Sequence, residues 1–103
     1  MQLRRQLYVI VRRFPPEERF ALASQLRRAA ISVPSTIAEG HARLIRRDYR
    51  QYVSMARGTV AEIETQLLIA GEENYVDQTD LDVAMNLADE VSRMCTSLIR
   101  NLS

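Results

Sequence analysis

The sequence predicts an all-α protein, an up-down four-helix bundle that residues 1–103 form as a single domain. Apolar residues recur at steps of three and four along most of the chain, which places them on one face of each helix. No segment alternates apolar and polar residues over the length of a strand, and the chain has no Asn-Gly or Asp-Gly pair to turn a hairpin. Only a few residues separate one periodic segment from the next, so consecutive helices should run antiparallel.

The first two helices meet at a pair of prolines. The first helix has its apolar face on Leu3, Leu7, Ile10 and Phe14. Pro15 and Pro16 end that helix, and Pro16 with Glu17 suits the first turn of the second. The apolar surface of the second helix lies on Phe20, Leu22, Ala23, Leu26, Ala30, Val33 and Ile37. Pro34 has no N–H to donate inside this helix, which predicts a kink there, and Gly40 marks the expected end.

The third and fourth helices show the most regular seams. In the third, apolar residues step by four and three at Tyr49, Val53, Ala56, Val60, Ile63, Leu67 and Ala70. In the fourth they do so at Leu81, Ala84, Ala88, Val91, Cys95, Leu98 and Leu102. Both patterns are typical of helix bundles. We expect Gly71 to cap the end of the third helix, and Asp77 or Thr79 to cap the start of the fourth.

Six further apolar residues fall outside these seams. They are Tyr52, Met55, Leu68, Leu87, Met94 and Ile99. A small bundle needs only about three apolar positions in seven per helix. The surplus either widens the core or forms a second apolar stripe against a partner subunit, and so small a chain gains stability from that added burial.

Composition excludes several kinds of function. The chain has no lysine, which removes Schiff-base chemistry and the lysine of a P-loop. Its one histidine, His41, has no glutamate three residues before it, so a di-iron site of the Glu-x-x-His type is not expected. Cys95, the only cysteine, lies on the fourth seam, where a packed thiol is favoured over a nucleophile. We therefore expect no catalytic residue, no metal, no cofactor and no small-molecule substrate.

Nothing in the sequence directs the chain to a membrane. No apolar run approaches the roughly 18 residues that a membrane span needs, and no signal peptide opens the chain. The expected location is the cytoplasm, with no membrane partner.

Charge is divided unevenly between the two halves of the chain. Residues 1–57 carry twelve arginines and four acids, a net charge of +8, whereas residues 58–103 carry two arginines and nine acids, a net charge of −7. Such asymmetry is typical of a nucleic-acid-binding face, or of surfaces that complement each other between copies. It predicts a homo-oligomer with head-to-tail contacts, which closes into a ring at a fixed rotation.

Positive charge is concentrated in the turn between the second and third helices. The candidate nucleic-acid-binding residues are His41, Arg43, Arg46, Arg47 and Arg50, with Asp48 opposing them. Arginines contact phosphates without reading sequence, so the turn predicts salt-dependent binding of structured RNA or DNA. Tyr49 or Tyr52 could stack on a base, although Tyr49 also suits the helix core. The alternative is a solvated charged face.

A second charged cluster joins the second and third helices. Arg27 and Arg28 follow the apolar anchor Leu26, and Glu62 and Glu64 flank the seam of the third helix. We expect structural Arg–carboxylate pairs here that set the register between helices or between subunits. The alternative is that both arginines face phosphate.

Three motifs resemble those of a known family. Residues 14–19 read F-P-P-E-E-R, residues 24–40 read S-Q-L-R-R-A-A-I-S-V-P-S-T-I-A-E-G, and residues 56–67 read A-R-G-T-V-A-E-I-E-T-Q-L. From about Tyr8 onward the chain is similar to the four-helix-bundle proteins encoded in 23S rRNA intervening sequences, which resemble the accessory proteins of diversity-generating retroelements. The resemblance implies a homo-oligomeric ring of five subunits. It leaves the molecular role open, with nucleic-acid binding as the leading candidate.

The chain departs from the family pattern in three places. Thr36 stands where the family usually has Asn, so an amide-specific contact is not expected there. Ile45 stands where a serine would cap the third helix, which weakens that helix start. The first helix is also shorter than is usual in the family.

These observations predict a non-enzymatic oligomeric bundle that binds structured RNA or DNA through arginine-rich surfaces. The competing hypothesis is a ring-forming protein–protein interaction scaffold with no nucleic-acid role. The position of the turn arginines in the assembled protein discriminates between the two, since a scaffold would use them against acids of a neighbouring subunit.

Overall fold

A computed structural model describes residues 1–18 and 21–103. It contains α1 (Gln2–Arg12), a short 3₁₀ turn (Pro16–Glu18), α2 (Leu22–His41), α3 (Arg46–Glu72) and α4 (Gln78–Asn101). No strand occurs in these two ranges, so the all-α prediction is confirmed. The predicted apolar residue Phe20 lies outside the described residues.

The four helices form a bundle in chain order. α1 packs on α2 and α4, and α3 packs on the same two helices from the other side. Short connections make neighbours antiparallel, as an up-down bundle requires. The body measures 44 × 23 × 18 Å. One end of it contains the ends of α1 and α3 and the start of α4, and the other contains the end of α2, the start of α3 and the end of α4.

The predicted seams form the core, with one difference between α3 and α4. Six of the seven seam residues of α3 are fully buried, and only Tyr49 is half-buried. In α4 the seam is buried at Leu81, Ala84, Ala88 and Cys95, whereas Val91, Leu98 and Leu102 are half-buried. The reason is the length of α1, which has 11 residues against 27 in α3 and leaves the second half of α4 without a partner on that side.

An open apolar cleft lies between the start of α1, the end of α2 and the second half of α4. It has a volume of about 340 Å³. Met1 and Leu3 border it from α1, Ile37 from α2, and Val91 and Leu98 from α4. Within the two described ranges, no helix combines the length and the hydropathy that crossing a membrane would demand.

Helix ends follow the sequence in part. The side chain of Asp77 accepts a hydrogen bond of 2.8 Å from the backbone N–H of Asp80, which confirms the predicted cap of α4. Ile45 makes no side-chain cap at the start of α3, as its residue type predicted. The predicted cap at Gly71 is wrong, because α3 continues to Glu72 and Asn74 takes the left-handed conformation instead, with φ of 60°.

Gly71 and Gly40 lie where another helix approaches so closely that a side chain would not fit. A Cβ on Gly71 would lie 2.8 Å from Leu81 Cδ2 of α4. A Cβ on Gly40 would lie 2.5 Å from Tyr52 Cβ, where the end of α2 meets α3. α2 ends one residue beyond Gly40 and is continuous through Pro34, and the kink at Pro34 stays a prediction.

Candidate nucleic-acid interface

The arginine turn lies at the end of the bundle where α2 ends, α3 begins and α4 ends. We call this region the basic end; it comprises His41, Arg43, Leu44, Ile45, Arg46, Arg47, Arg50 and Arg100. All of these residues are exposed. The fold thus assembles a continuous surface from three helix ends.

Two of the arginines bind the end of α4. Arg46 Nε donates to the Leu102 carbonyl at 3.3 Å, and Arg46 Nη2 donates to the Asn101 carbonyl. Arg50 Nε donates to the Ile99 carbonyl at 3.4 Å. The last carbonyls of a helix lack intrahelical partners and carry partial negative charge, so guanidinium groups there satisfy and stabilise them.

Arg43 is held against an aromatic ring. Its Nη2 donates to the Tyr52 hydroxyl at 2.6 Å, and its guanidinium carbon lies 5.0 Å from the centre of the Tyr52 ring. A longer contact of 3.8 Å joins the same nitrogen to Glu39. Since Arg43 covers Tyr52, a base could stack on this ring only after the arginine moved.

Arg47 and His41 complete the predicted set. Arg47 makes no hydrogen bond or ion pair with any residue of the described ranges, and its guanidinium is open to solvent. His41 packs edge-on against Tyr49 with ring centres 5.3 Å apart. Among the described residues, Arg47 is therefore the least constrained arginine of the turn.

Sequence reasoning missed one arginine and two apolar residues of this surface. Arg100 lies in the last turn of α4, among the carbonyls that Arg46 and Arg50 bind, and it is exposed. The predicted antiparallel pairing of α3 with α4 brings residues some fifty positions apart to the same end of the bundle, and it could have placed Arg100 beside the turn arginines. Leu44 and Ile45 are exposed at the tip of the turn.

The opposite end of the bundle is acidic. Its acids are Glu17, Glu72, Glu73, Asp77, Asp80 and Asp82. Arg13 forms an ion pair with Asp80, which ties the end of α1 to the start of α4. No cluster of three or more metal-ligating side chains occurs among residues 1–18 and 21–103. The uneven charge of the sequence therefore becomes a separation of charge along the long axis.

The second charged cluster forms no ion pair within one copy. Arg27, Arg28 and Glu62 are exposed and Glu64 is half-buried, and no guanidinium–carboxylate contact within 4 Å joins these four described residues. Arg28 and Glu62 nevertheless line one groove between α2 and α3. Pairing between subunits, the other form of the prediction, stays a prediction.

Cys95 is buried at the floor of the apolar cleft. Burial raises the pKa of its thiol, an effect that the positive charge of Arg57 partly offsets. A raised pKa and burial both make the thiol a weaker nucleophile, which agrees with a packing role.

Comparison with known proteins adds a family. A family model described as "23S rRNA-intervening sequence protein" matches residues 1–97. The match includes all three motifs quoted above and the whole basic end except Arg100. No curated protein matches the chain.

Proposed function

Because this chain belongs to the family of 23S rRNA-intervening sequence proteins, we propose that it is a non-enzymatic homo-oligomer whose basic end binds the phosphates of structured RNA or DNA. Such a protein would act in the cytoplasm. The observation that carries the proposal is the kind of partner that the turn arginines have within the chain.

The partners of these arginines are largely neutral. Arg46 and Arg50 bind backbone carbonyls, and Arg43 binds a phenolic hydroxyl, with a longer contact of 3.8 Å to the carboxylate of Glu39. A neutral acceptor orients a guanidinium without cancelling its charge, and each fork keeps further N–H donors for a second acceptor. The basic end thus retains a net positive field although three of its arginines are held in place.

Because these contacts already fix the arginine side chains, binding of a phosphate costs less conformational entropy. A free arginine loses about 2 kcal/mol of rotamer entropy when it is immobilised, and a guanidinium that is already anchored loses less. Phosphate oxygens are the ligands that suit this arrangement of forked donors.

Oligomerisation would multiply the effect. Five parallel copies in a ring would bring about twenty turn arginines to one rim, from the four in each chain. Such a rim would bind with a steep salt dependence and little sequence preference. A non-enzymatic role is supported by the burial of Cys95, which raises the pKa of its thiol, and by the packing of His41 on Tyr49.

The test compares charge removal at the two ends of the bundle. In gel shifts with a panel of RNA and DNA, Arg47→Gln/Arg100→Gln should weaken binding at least tenfold and reduce the salt slope by about two. The control Arg12→Gln/Arg93→Gln removes the same charge from exposed arginines away from the basic end. Equal losses for both pairs, or no binding by the wild type at low salt, would refute the proposal.

A protein partner is the second candidate, and Leu44 with Ile45 favours it. Both are apolar, both are exposed at the tip of the turn, and an apolar pair in such a place is typical of a protein interface. A ring scaffold would then lose its partner in Leu44→Ser/Ile45→Ser and keep it in Arg47→Gln/Arg100→Gln.

A further inference from the structure

A groove runs along the outer surface between α2 and α3. We call it the α2–α3 groove; it is lined by Gln25, Arg28, Ser32, Gly58, Thr59, Glu62, Gln66 and Ile69. Gln66 donates to Gln25 at 3.3 Å across it, while Gln66 Oε1 is buried and accepts no hydrogen bond from any described residue. Arg28 and Glu62 sit in the groove without an ion-pair partner among those residues. The groove thus holds three polar groups, Gln66 Oε1 and the charged ends of Arg28 and Glu62, that have no hydrogen-bond or ion-pair partner among the described residues.

Gly58 is the most informative residue of this groove. It lies in the middle of α3, and a Cβ built on it would meet no atom within 4 Å. A glycine inside a helix lowers the stability of that helix relative to alanine. Gly40 and Gly71 are explained by close neighbours in the same chain, whereas no described residue lies close enough to Gly58 to require a glycine there. A missing side chain there leaves room for a group from another molecule.

A matching ridge lies on the other side of the bundle. On α4 the residues Val83, Leu87, Glu90 and Met94 step by four, three and four, which puts them on one face. This ridge borders α1 and so points away from α3. Val83 and Met94 are exposed, Met94 at 65%, and Glu90 is exposed with no ion-pair partner among the described residues.

The ridge and the groove lie at the same height along the bundle. Contacts between α3 and α4 fix the register: Arg50 reaches Ile99, Arg57 reaches Thr96 at 3.3 Å, and Gly71 adjoins Leu81. Between these points Gly58 is level with the turn that contains Met94. In two parallel copies placed side by side, Met94 of one copy therefore faces Gly58 of the next.

One pair of opposite charges agrees with this placement. Arg28 and Glu62 line the groove about one turn of helix further toward the acidic end than Gly58, and Glu90 precedes Met94 by one turn in the same direction. Glu90 of one copy then lies level with Arg28 of the next. A ridge and a groove on opposite sides make a heterologous contact, which closes into a ring when the rotation permits.

We propose that a second copy of this chain occupies the α2–α3 groove, with its α4 ridge seated so that Met94 fills the space at Gly58 and Glu90 pairs with Arg28. This interface rests on the homo-oligomer of the proposed function and specifies its surfaces. It also accounts for Arg28 as an intersubunit residue, one of the two forms in which the sequence predicted the second charged cluster.

The first test fills the space at Gly58. Light scattering at micromolar concentration should show that Gly58→Leu raises the concentration at which the oligomer dissociates by at least tenfold. The helical signal of circular dichroism should be unchanged, because the position is open in the single copy. Gly58→Ala is the matched control, since it adds one methyl group and should keep the oligomer.

The second test exchanges the charges. Glu90→Arg and Arg28→Glu should each dissociate the oligomer, and the double variant should restore it. A wild-type monomer would overturn the oligomer and this interface together. If the wild type is an oligomer and Gly58→Leu and both charge reversals leave it intact, this interface alone is overturned. The nucleic-acid gel shifts test a separate property and do not depend on either result.

Discussion

Replacing glycine by alanine should change the stability of the fold in opposite directions at Gly40 and at Gly58. Gly40→Ala and Gly58→Ala each add one methyl group to a helix. At Gly40 the new Cβ would lie 2.5 Å from Tyr52 Cβ and 3.3 Å from Tyr49 Cδ1, whereas at Gly58 nothing lies within 4 Å. The local environment, rather than helix propensity, should therefore decide the result.

The magnitude at Gly40 follows from the distance. Carbon atoms pack at about 3.5–4.0 Å, so Tyr52 Cβ would have to retreat by roughly 1 Å. This atom is attached directly to the α3 backbone, so the helices themselves would have to separate. Overpacking of this kind costs about 1–3 kcal/mol, and the better helix propensity of alanine offsets up to about 1 kcal/mol. We expect a net loss of about 1–2 kcal/mol.

At Gly58 only the propensity gain remains. Gly58→Ala should stabilise the fold by about 0.5–1 kcal/mol. In a chain of this size 1 kcal/mol shifts Tm by about 4–8 °C, so the two variants should melt on opposite sides of the wild type. Circular dichroism at 222 nm measures this at a single low protein concentration, because assembly makes Tm depend on concentration. A Gly40→Ala variant as stable as the wild type would refute the close approach of α2 and α3.

Three further outcomes are expected. Ile63→Asp should unfold the chain, since it places an unpaired charge at a fully buried position, and a folded variant by circular dichroism would show the seam of α3 to be misassigned. Arg46→Gln should lower the free energy of unfolding in urea by about 0.5–1.5 kcal/mol through loss of the α4 carbonyl contacts, while Arg47→Gln should leave it unchanged; equal effects would contradict the different roles given to them. Burial raises the pKa of Cys95, so the stability associated with its protonated thiol is present below the unfolded pKa and is lost as the pH rises toward the folded one. Because burial shields the thiol and raises its pKa, iodoacetamide at pH 8 should alkylate Cys95 at least tenfold more slowly in the folded chain than in urea. Equal rates would place the thiol at the surface.

The helices were predictable because their signal is local. Steps of three and four in the sequence marked the core face of α3 correctly at six positions out of seven. The same pattern placed Val91 and Leu98 in the core, where the structure leaves them half-buried. Periodicity reports which face of a helix is apolar, but how far that face is covered depends on the length of the opposite helix.

The helix ends and the partners of the arginines were less predictable. Gly71 has the residue type of a cap, but its position is set by Leu81 on another helix, and Asn74 takes the capping conformation. The turn arginines were visible as a run of charge. Their hydrogen bonds to the end of α4 depend on which helix ends meet, which is a property of the tertiary structure rather than of the turn itself.

The open apolar cleft beside α4 has a consequence for local stability. Near the acidic end all four helices are present, while the half nearer the basic end is held by α2, α3 and α4 around an open cleft. Amide hydrogens in the last turns of α2 and α4 should therefore exchange with solvent faster than those near Ile63, because fewer buried contacts oppose local opening there. The end that carries the arginines would then also be the end whose backbone opens most readily, and a bound polyanion would slow its exchange.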